Sequence, residues 1–166
     1  YVDRTQDLNF AINSLDLLEK EFKYFMTAKT VTVKGHKMAR YIDASSGPRP
    51  ESFREDYAIG QSFETVEERE NFYSEIKAGG ESGMDFSSRW FINENGTNVG
   101  TLKDIKTRFI IPVELNAILY WNAKIIAEFY GYAKNDTKKN EYELIANEIL
   151  TAVNEVLWDD EVGAWL

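Results

Sequence analysis

The sequence has no cysteine, one histidine and three prolines among its 166 residues. Without thiols, disulfide bridges, cysteine nucleophiles and cysteine-ligated zinc are excluded within these residues. A histidine metal cluster or a Ser-His-Asp triad would have to be built on His36 alone. That residue stands in Lys34-Gly-His-Lys37, which has the composition of a turn, so a solvated turn histidine is expected. Positive charge is scarce as well: 19 Lys and Arg against 28 Asp and Glu leave a formal net charge of −9. An excess of that sign repels a phosphate backbone and argues against nucleic acid as a partner. No run approaches the roughly 18 consecutive apolar residues of a membrane span. The opening residues Tyr1 to Asp7 lack the charged-then-apolar order of a signal peptide.

What is present describes a folded, largely helical chain. Hydrophobic residues at 43% and charged residues at 28% are ordinary for a globular domain, so wholesale disorder is not expected. Aromatic residues reach 14%, and their rings either fill cores or stack on the apolar face of a sugar. Leu8, Ile12, Leu15, Leu18, Phe22 and Phe25 recur every three or four positions and predict a helix over residues 7–28. The β-branched run at Thr30–Val33, followed by Lys-Gly-His, predicts a short β-hairpin. Thr65-Val-Glu-Glu68 fits a capping box opening a second helix, which Gly79-Gly80 is expected to stop. Pro112 suits the first turn of a third helix ending near Gly131. Tyr142, Ile145, Ala146, Ile149, Leu150, Val153, Val156 and Leu157 predict a fourth.

Between these helices lie two long stretches, 43–60 and 81–107, with no usable period. Long ordered loops in a compact domain are usually functional. In the first, Pro50 pushes Arg49 toward an extended backbone, while Pro48 fixes its own φ and removes a donor. A stiff segment presents Arg49 and Glu51 with little entropy left to lose, and a guanidinium beside a carboxylate suits the hydroxyls of a sugar. The competing reading is that Arg49, Glu51, Arg54, Glu55 and Asp56 form ion pairs that pin the loop to helix ends.

In the second stretch Asp85 stands between Met84 and Phe86, with Trp90 nearby. An apolar wall penalises the charged form of a carboxyl group and favours the protonated acid that glycosidic cleavage requires. Arg89 works in the opposite direction. On local chemistry alone, a cap for the turn after Ser82-Gly83 accounts for Asp85 equally well.

Three blocks, taken in order, resemble the trehalase family of glycoside hydrolases. They are Pro48-Arg-Pro-Glu-Ser-Phe-Arg-Glu-Asp-Tyr57, Glu81-Ser-Gly-Met-Asp-Phe-Ser-Ser-Arg-Trp90 and Ile111-Pro-Val-Glu-Leu-Asn-Ala117. The helix and hairpin before them and Leu157-Trp-Asp-Asp-Glu-Val-Gly-Ala-Trp165 after them are similar to the same family, so the resemblance spans the chain. It implies an all-α fold, here an arc of an (α/α) toroid with long functional loops and a short hairpin. It also implies hydrolysis of α,α-trehalose to two glucose molecules with inversion, without metal or organic cofactor. By position, Asp85 matches the general acid. Arg49, Pro50 and Glu51 match a substrate-binding segment, Gly83 a backbone contact beside the acid, and Arg54 is a further candidate for the same pocket.

The chain departs from the family pattern in three respects. Met84 stands where many members carry Trp, the Pro-Gly-Gly-Arg-Phe and Gln-Trp-Asp signatures are missing, and no residue matches the catalytic base, a later Glu. Residues 1–166 are therefore expected to form a single segment, the central part of a longer catalytic domain, inactive alone and dependent on the remaining segments to close the ring. Asn95-Gly-Thr97, Asn135-Asp-Thr137 and the lack of cysteine fit a secreted or surface-anchored protein, with a cytoplasmic form left open. The rival reading is a non-catalytic helical module that binds sugar or protein and uses Asp85 structurally.

Overall fold

The computed structural model describes residues 1–166. They form two compact units, one made of residues 1–39 and 112–166, the other of residues 40–111. The chain as a whole is mostly helical, with two short antiparallel strand pairs, in agreement with the all-α class expected.

In the first unit, a short α1 (Val2–Thr5) precedes α2 (Leu8–Ala28), whose first turn is capped by the Asp7 carboxylate accepting from Phe10 N. Ala11, Leu15 and Phe22 of α2 are buried, whereas Leu8 and Ile12, counted in the same stripe, stay exposed. Strands β1 (Thr30–Val33) and β2 (His36–Ala39) pair with Thr30 opposite Ala39 and Val33 opposite His36. Lys34 and Gly35 both have positive φ, 50° and 84°, the backbone that a two-residue hairpin of native twist demands. His36 is not the solvated turn residue expected: it opens β2 and its ring Nε2 lies 2.8 Å from Glu155 Oε2.

Helices α5 (Val113–Tyr132) and α6 (Asp136–Leu157) form an antiparallel pair joined by a three-residue turn, 133–135. Pro112 caps α5 from just outside its first turn, with φ −71° and ψ 129°. Asn135 accepts from Lys138 N to cap α6. Ala123, Ala127, Ala146 and Ala152 are buried and let the two helices approach closely, while the Tyr142 ring meets Phe22 edge-on and stacks on Tyr130. Asn116, from the third sequence block, is buried inside this unit. It accepts from Ala39 N at 2.8 Å and donates to the carbonyls of Ala39 and Pro112, tying β2 to the start of α5. A small ribbon, β3 (Trp158–Asp159) with β4 (Ala164–Trp165), follows α6 and pairs two indoles; the sequence pattern had not indicated it.

The second unit corrects two expectations. Residues 43–60 are not one loop: Pro50–Ser52 form a 3-10 turn that runs into helix α3 (Phe53–Gly60). Only Asp56 and Gly60 of α3 are buried, so the helix is anchored by a charged side chain and carries no apolar stripe for periodicity to register. Helix α4 (Val66–Glu81) opens with the capping box expected at Thr65 and Glu68, but it runs through Gly79-Gly80 to a cap at Ser82. Gly79 is there for clearance: a Cβ on it would lie 3.0 Å from the Phe86 ring and 3.1 Å from Ile105, whereas one on Gly80 would make only an ordinary contact, 3.7 Å from Cδ of Arg49. Residues 82–111 wrap Trp90, which is fully buried, using 3-10 turns at Ser88–Trp90, Leu102–Asp104 and Thr107–Phe109 and a bridge between Phe91 and Ile105.

The end of α3 packs as tightly. A Cβ on Gly60 would sit 2.2 Å from Tyr73 Oη, and Tyr73 is itself buried. Gly60→Ala is therefore expected to destabilise the protein by about 1–3 kcal/mol through overpacking, although Ala is ordinarily the better helix former by up to about 1 kcal/mol. A fall in the midpoint of urea denaturation checks this, and an unchanged or raised midpoint would contradict it.

Candidate active site

The five principal candidates of the two irregular stretches, Arg49, Pro50, Glu51, Gly83 and Asp85, belong to the second unit, as does the further candidate Arg54. Gly47, with φ 75° and its N–H held by Glu70 Oε2 at 2.8 Å, turns the chain toward the Pro-Arg-Pro stretch. Arg49 then adopts the extended backbone that a following proline imposes, φ −63° and ψ 135°, and Pro50 opens the 3-10 turn. Its side chain runs inward. Nε and Nη2 donate to the two oxygens of Asp56 at 2.8 Å each, and Arg49 N donates to the same carboxylate at 3.2 Å. Asp56 is buried and Arg49 is 8% exposed, so this fork is shielded from water.

Of the five charged residues weighed for ion pairs, only Arg49 and Asp56 form one, while Asp43 at the start of the stretch pairs with Lys77. Glu51 and Arg54 are exposed, and neither enters an ion pair.

The guanidinium also lies over the Phe86 ring, 4.8 Å from its centroid. Phe86 follows Asp85 directly, so a single stacking contact joins the two sequence blocks. The Arg49 guanidinium is held above its ordinary range. Hydrogen bonds to Asp56 act first, against the cost of burial, and the charges of Asp56, Glu51 and Asp85 add to them. Nη1, the one guanidinium nitrogen not spent on Asp56, carries no hydrogen bond within the chain.

Asp85 is exposed and makes no hydrogen bond or ion pair within the chain. The turn is capped instead by Ser82, whose hydroxyl donates to Gly79 O at 2.5 Å and accepts from Met84 N at 3.0 Å. The apolar wall expected around Asp85 is not assembled by its sequence neighbours. Trp90 is buried with its indole N–H donating to Met84 O, and Met84 Sδ is engaged by Arg89 Nη1 at 2.9 Å, while the Arg89 guanidinium covers the Trp90 ring. Gly83 is exposed with φ 71°, a left-handed conformation that strains any other residue, and its surroundings are open.

A cavity of ≈ 320 Å³ opens elsewhere in this unit, lined by Asn71, Glu75, Ile105 and Arg108 among others. None of the five residues lines it. No group of three or more His, Asp or Glu side chains is placed to hold a metal ion.

Against known proteins, the family model for trehalase matches residues 1–166. The chain belongs to the trehalase family. It is 51% identical over its whole length to a trehalase of Apis mellifera and 36% identical over 99% of its length to the trehalase of Homo sapiens. It is also 30% identical, over 90% of its length, to the periplasmic trehalase of Escherichia coli O8 (strain IAI1). The chain spans only 27–28% of the length of these three trehalases.

Two further residues of the trehalase blocks were not singled out for the site by sequence reasoning. Asp56 was weighed as one of five charges whose ion pairs pin the loop, and Phe86 only as an apolar neighbour of Asp85. The one available signal was spacing: an acid seven residues after Arg49, on the inner face of a short helix.

Proposed function

We propose that these residues are the central segment of an inverting α,α-trehalose hydrolase, with Asp85 as its general acid. Arg49 and Glu51 bind glucose hydroxyls, Pro50 stiffens their presentation and Gly83 offers backbone to the sugar beside the acid. What carries the reading is the way the two sequence blocks meet. Arg49, locked by Asp56 and stacked on Phe86, has one free nitrogen, and it lies in the combined field of Glu51 and an Asp85 that has no partner of its own. A carboxyl group committed to nothing within the chain is free to serve a substrate.

Inversion needs a second carboxylate about 6.5–9.5 Å from the acid with a water between them. The family's base has no counterpart here, and the chain is 27% of the length of the matched Apis mellifera trehalase, so the base belongs to the remaining segments. The same segments cover apolar residues that the first unit leaves open, including Leu17, Tyr24, Ile118 and Trp121. The isolated chain accordingly releases no glucose at an ordinary enzyme rate. No metal or organic cofactor enters the reaction. The two sequons support a secreted or surface-held protein, and no helix is long and apolar enough to cross a membrane.

Proton NMR of the first minutes of trehalose cleavage by the whole protein tests the reading. Inversion gives one α- and one β-glucose per trehalose. Two α-anomers would rule out the inverting assignment. Binding of trehalose with no glucose release would leave a sugar-binding module instead, and faster cleavage of maltose or sucrose would point to a different α-glucosidase.

A further inference from the structure

We infer that Asp56 and Phe86 are positioning residues that together set the sugar-facing edge of Arg49 relative to Asp85. The inference rests on the trehalose-hydrolase reading and adds two residues to it. A guanidinium on a flexible stem can point many ways, and its use in a sugar site depends on which edge faces the substrate. Here two constraints remove that freedom. The Asp56 fork takes Nε and Nη2 at 2.8 Å each and so defines the plane and rotation of the group. The Phe86 ring, 4.8 Å from Cζ, covers one face of that plane. The edge made by Nη1 and the second N–H of Nη2 is left for a hydroxyl.

The arrangement is also transmitted to the acid. Phe86 seats closely on Gly79, which leaves space for it, and it is bonded to Asp85. A shift of the guanidinium plane therefore moves the ring, and a shift of the ring moves the carboxyl group beside it. Asp56 is one of the few charged residues that are fully buried, yet its oxygens reach nothing but Arg49. A bidentate carboxylate of this kind differs from an exposed ion pair because its geometry, as well as its charge, is specific.

A double-mutant cycle in the whole protein tests this, with Arg49→Lys and Asp56→Asn made singly and together and kcat and KM measured on trehalose. Each single change is expected to lower kcat/KM by roughly 30- to 100-fold, and the double by no more than about threefold beyond the worse single, because both act through one guanidinium. Losses that multiply, to about a thousandfold or more, would show Asp56 to be a structural residue only and overturn the inference. Asp56→Glu, which keeps the charge but misplaces the fork, is expected to remain as impaired as Asp56→Asn, whereas full rescue by Glu would also overturn it. Should Asp56→Asn not fold, Phe86→Leu takes its place in the cycle with the same expectation of non-additivity. A wild-type protein that leaves trehalose intact would remove the hydrolase reading and the positioning role together. One that cleaves trehalose but gives multiplying losses removes the positioning role alone.

Discussion

Asp85→Asn in the whole protein is expected to lower kcat on trehalose by about a thousandfold or more, while KM moves by a few-fold. A positioned general acid contributes typically about 10²- to 10⁴-fold. The upper part of that range applies here because the leaving group is a sugar hydroxyl, which departs poorly as an alkoxide. Asparagine keeps the size and shape of the side chain but has no proton to transfer. The test is unusually clean because Asp85 holds nothing else together: it is exposed, unpaired and not the cap of its turn. Thermal midpoints of variant and parent should therefore agree within a few degrees. A substrate whose leaving group needs no protonation, such as α-glucosyl fluoride, should lose far less rate than trehalose. An Asp85→Asn protein that cleaves trehalose at the parental rate would end the assignment of the acid.

Trp90→Ala carries the largest expected stability loss. The indole is fully buried, meets Tyr41 edge-on at 6.1 Å and donates its N–H to Met84 O at 3.1 Å. Its backbone is held on both sides, accepting from Lys106 N at 2.7 Å and donating to Ser87 O at 3.1 Å. Truncation to Ala removes the indole's transfer free energy and leaves a cavity that these fixed neighbours cannot close, a loss of about 3–5 kcal/mol. Because the same ring holds the Met84 carbonyl just before Asp85, the variant should also lose activity at temperatures where it stays folded. Trp90→Phe, which keeps most of the ring but orphans the Met84 carbonyl, should cost about 1–3 kcal/mol. Urea denaturation of both variants beside the parent measures the two losses. A shift of less than about 1 kcal/mol for Trp90→Ala would mean that the stretch from residue 82 to 111 does not depend on this residue.

The helices were legible where burial is one-sided and apolar. Leu15 and Phe22 in α2, and Tyr142, Ala146, Ile149 and Val153 in α6, repeat at helical spacing and are buried. The Thr65 and Glu68 cap is equally local, since its two hydrogen bonds close within four residues. α3 escaped notice because Asp56 and Gly60 are its only buried residues, and no hydropathy pattern reports a helix docked by an ion pair. Gly79-Gly80 was misread because glycine serves both to end helices and to admit a neighbour. Which role applies depends on Phe86 and Ile105, the latter 26 positions further along the chain.

The site divides along the same line. The residue types at 49, 51 and 85, the stiffness that two prolines confer and the negative net charge all follow from the order of amino acids, because each depends on covalent structure or on neighbours a few positions away. The direction in which Arg49 turns, its union with Asp56 and Phe86, and the release of Asp85 from any internal partner were decided only on folding. Those contacts join α3, α4 and the stretch after it, and the energies that select them, a desolvated ion pair and a ring seated on a glycine, exist only once water has been expelled between segments that the chain itself keeps apart.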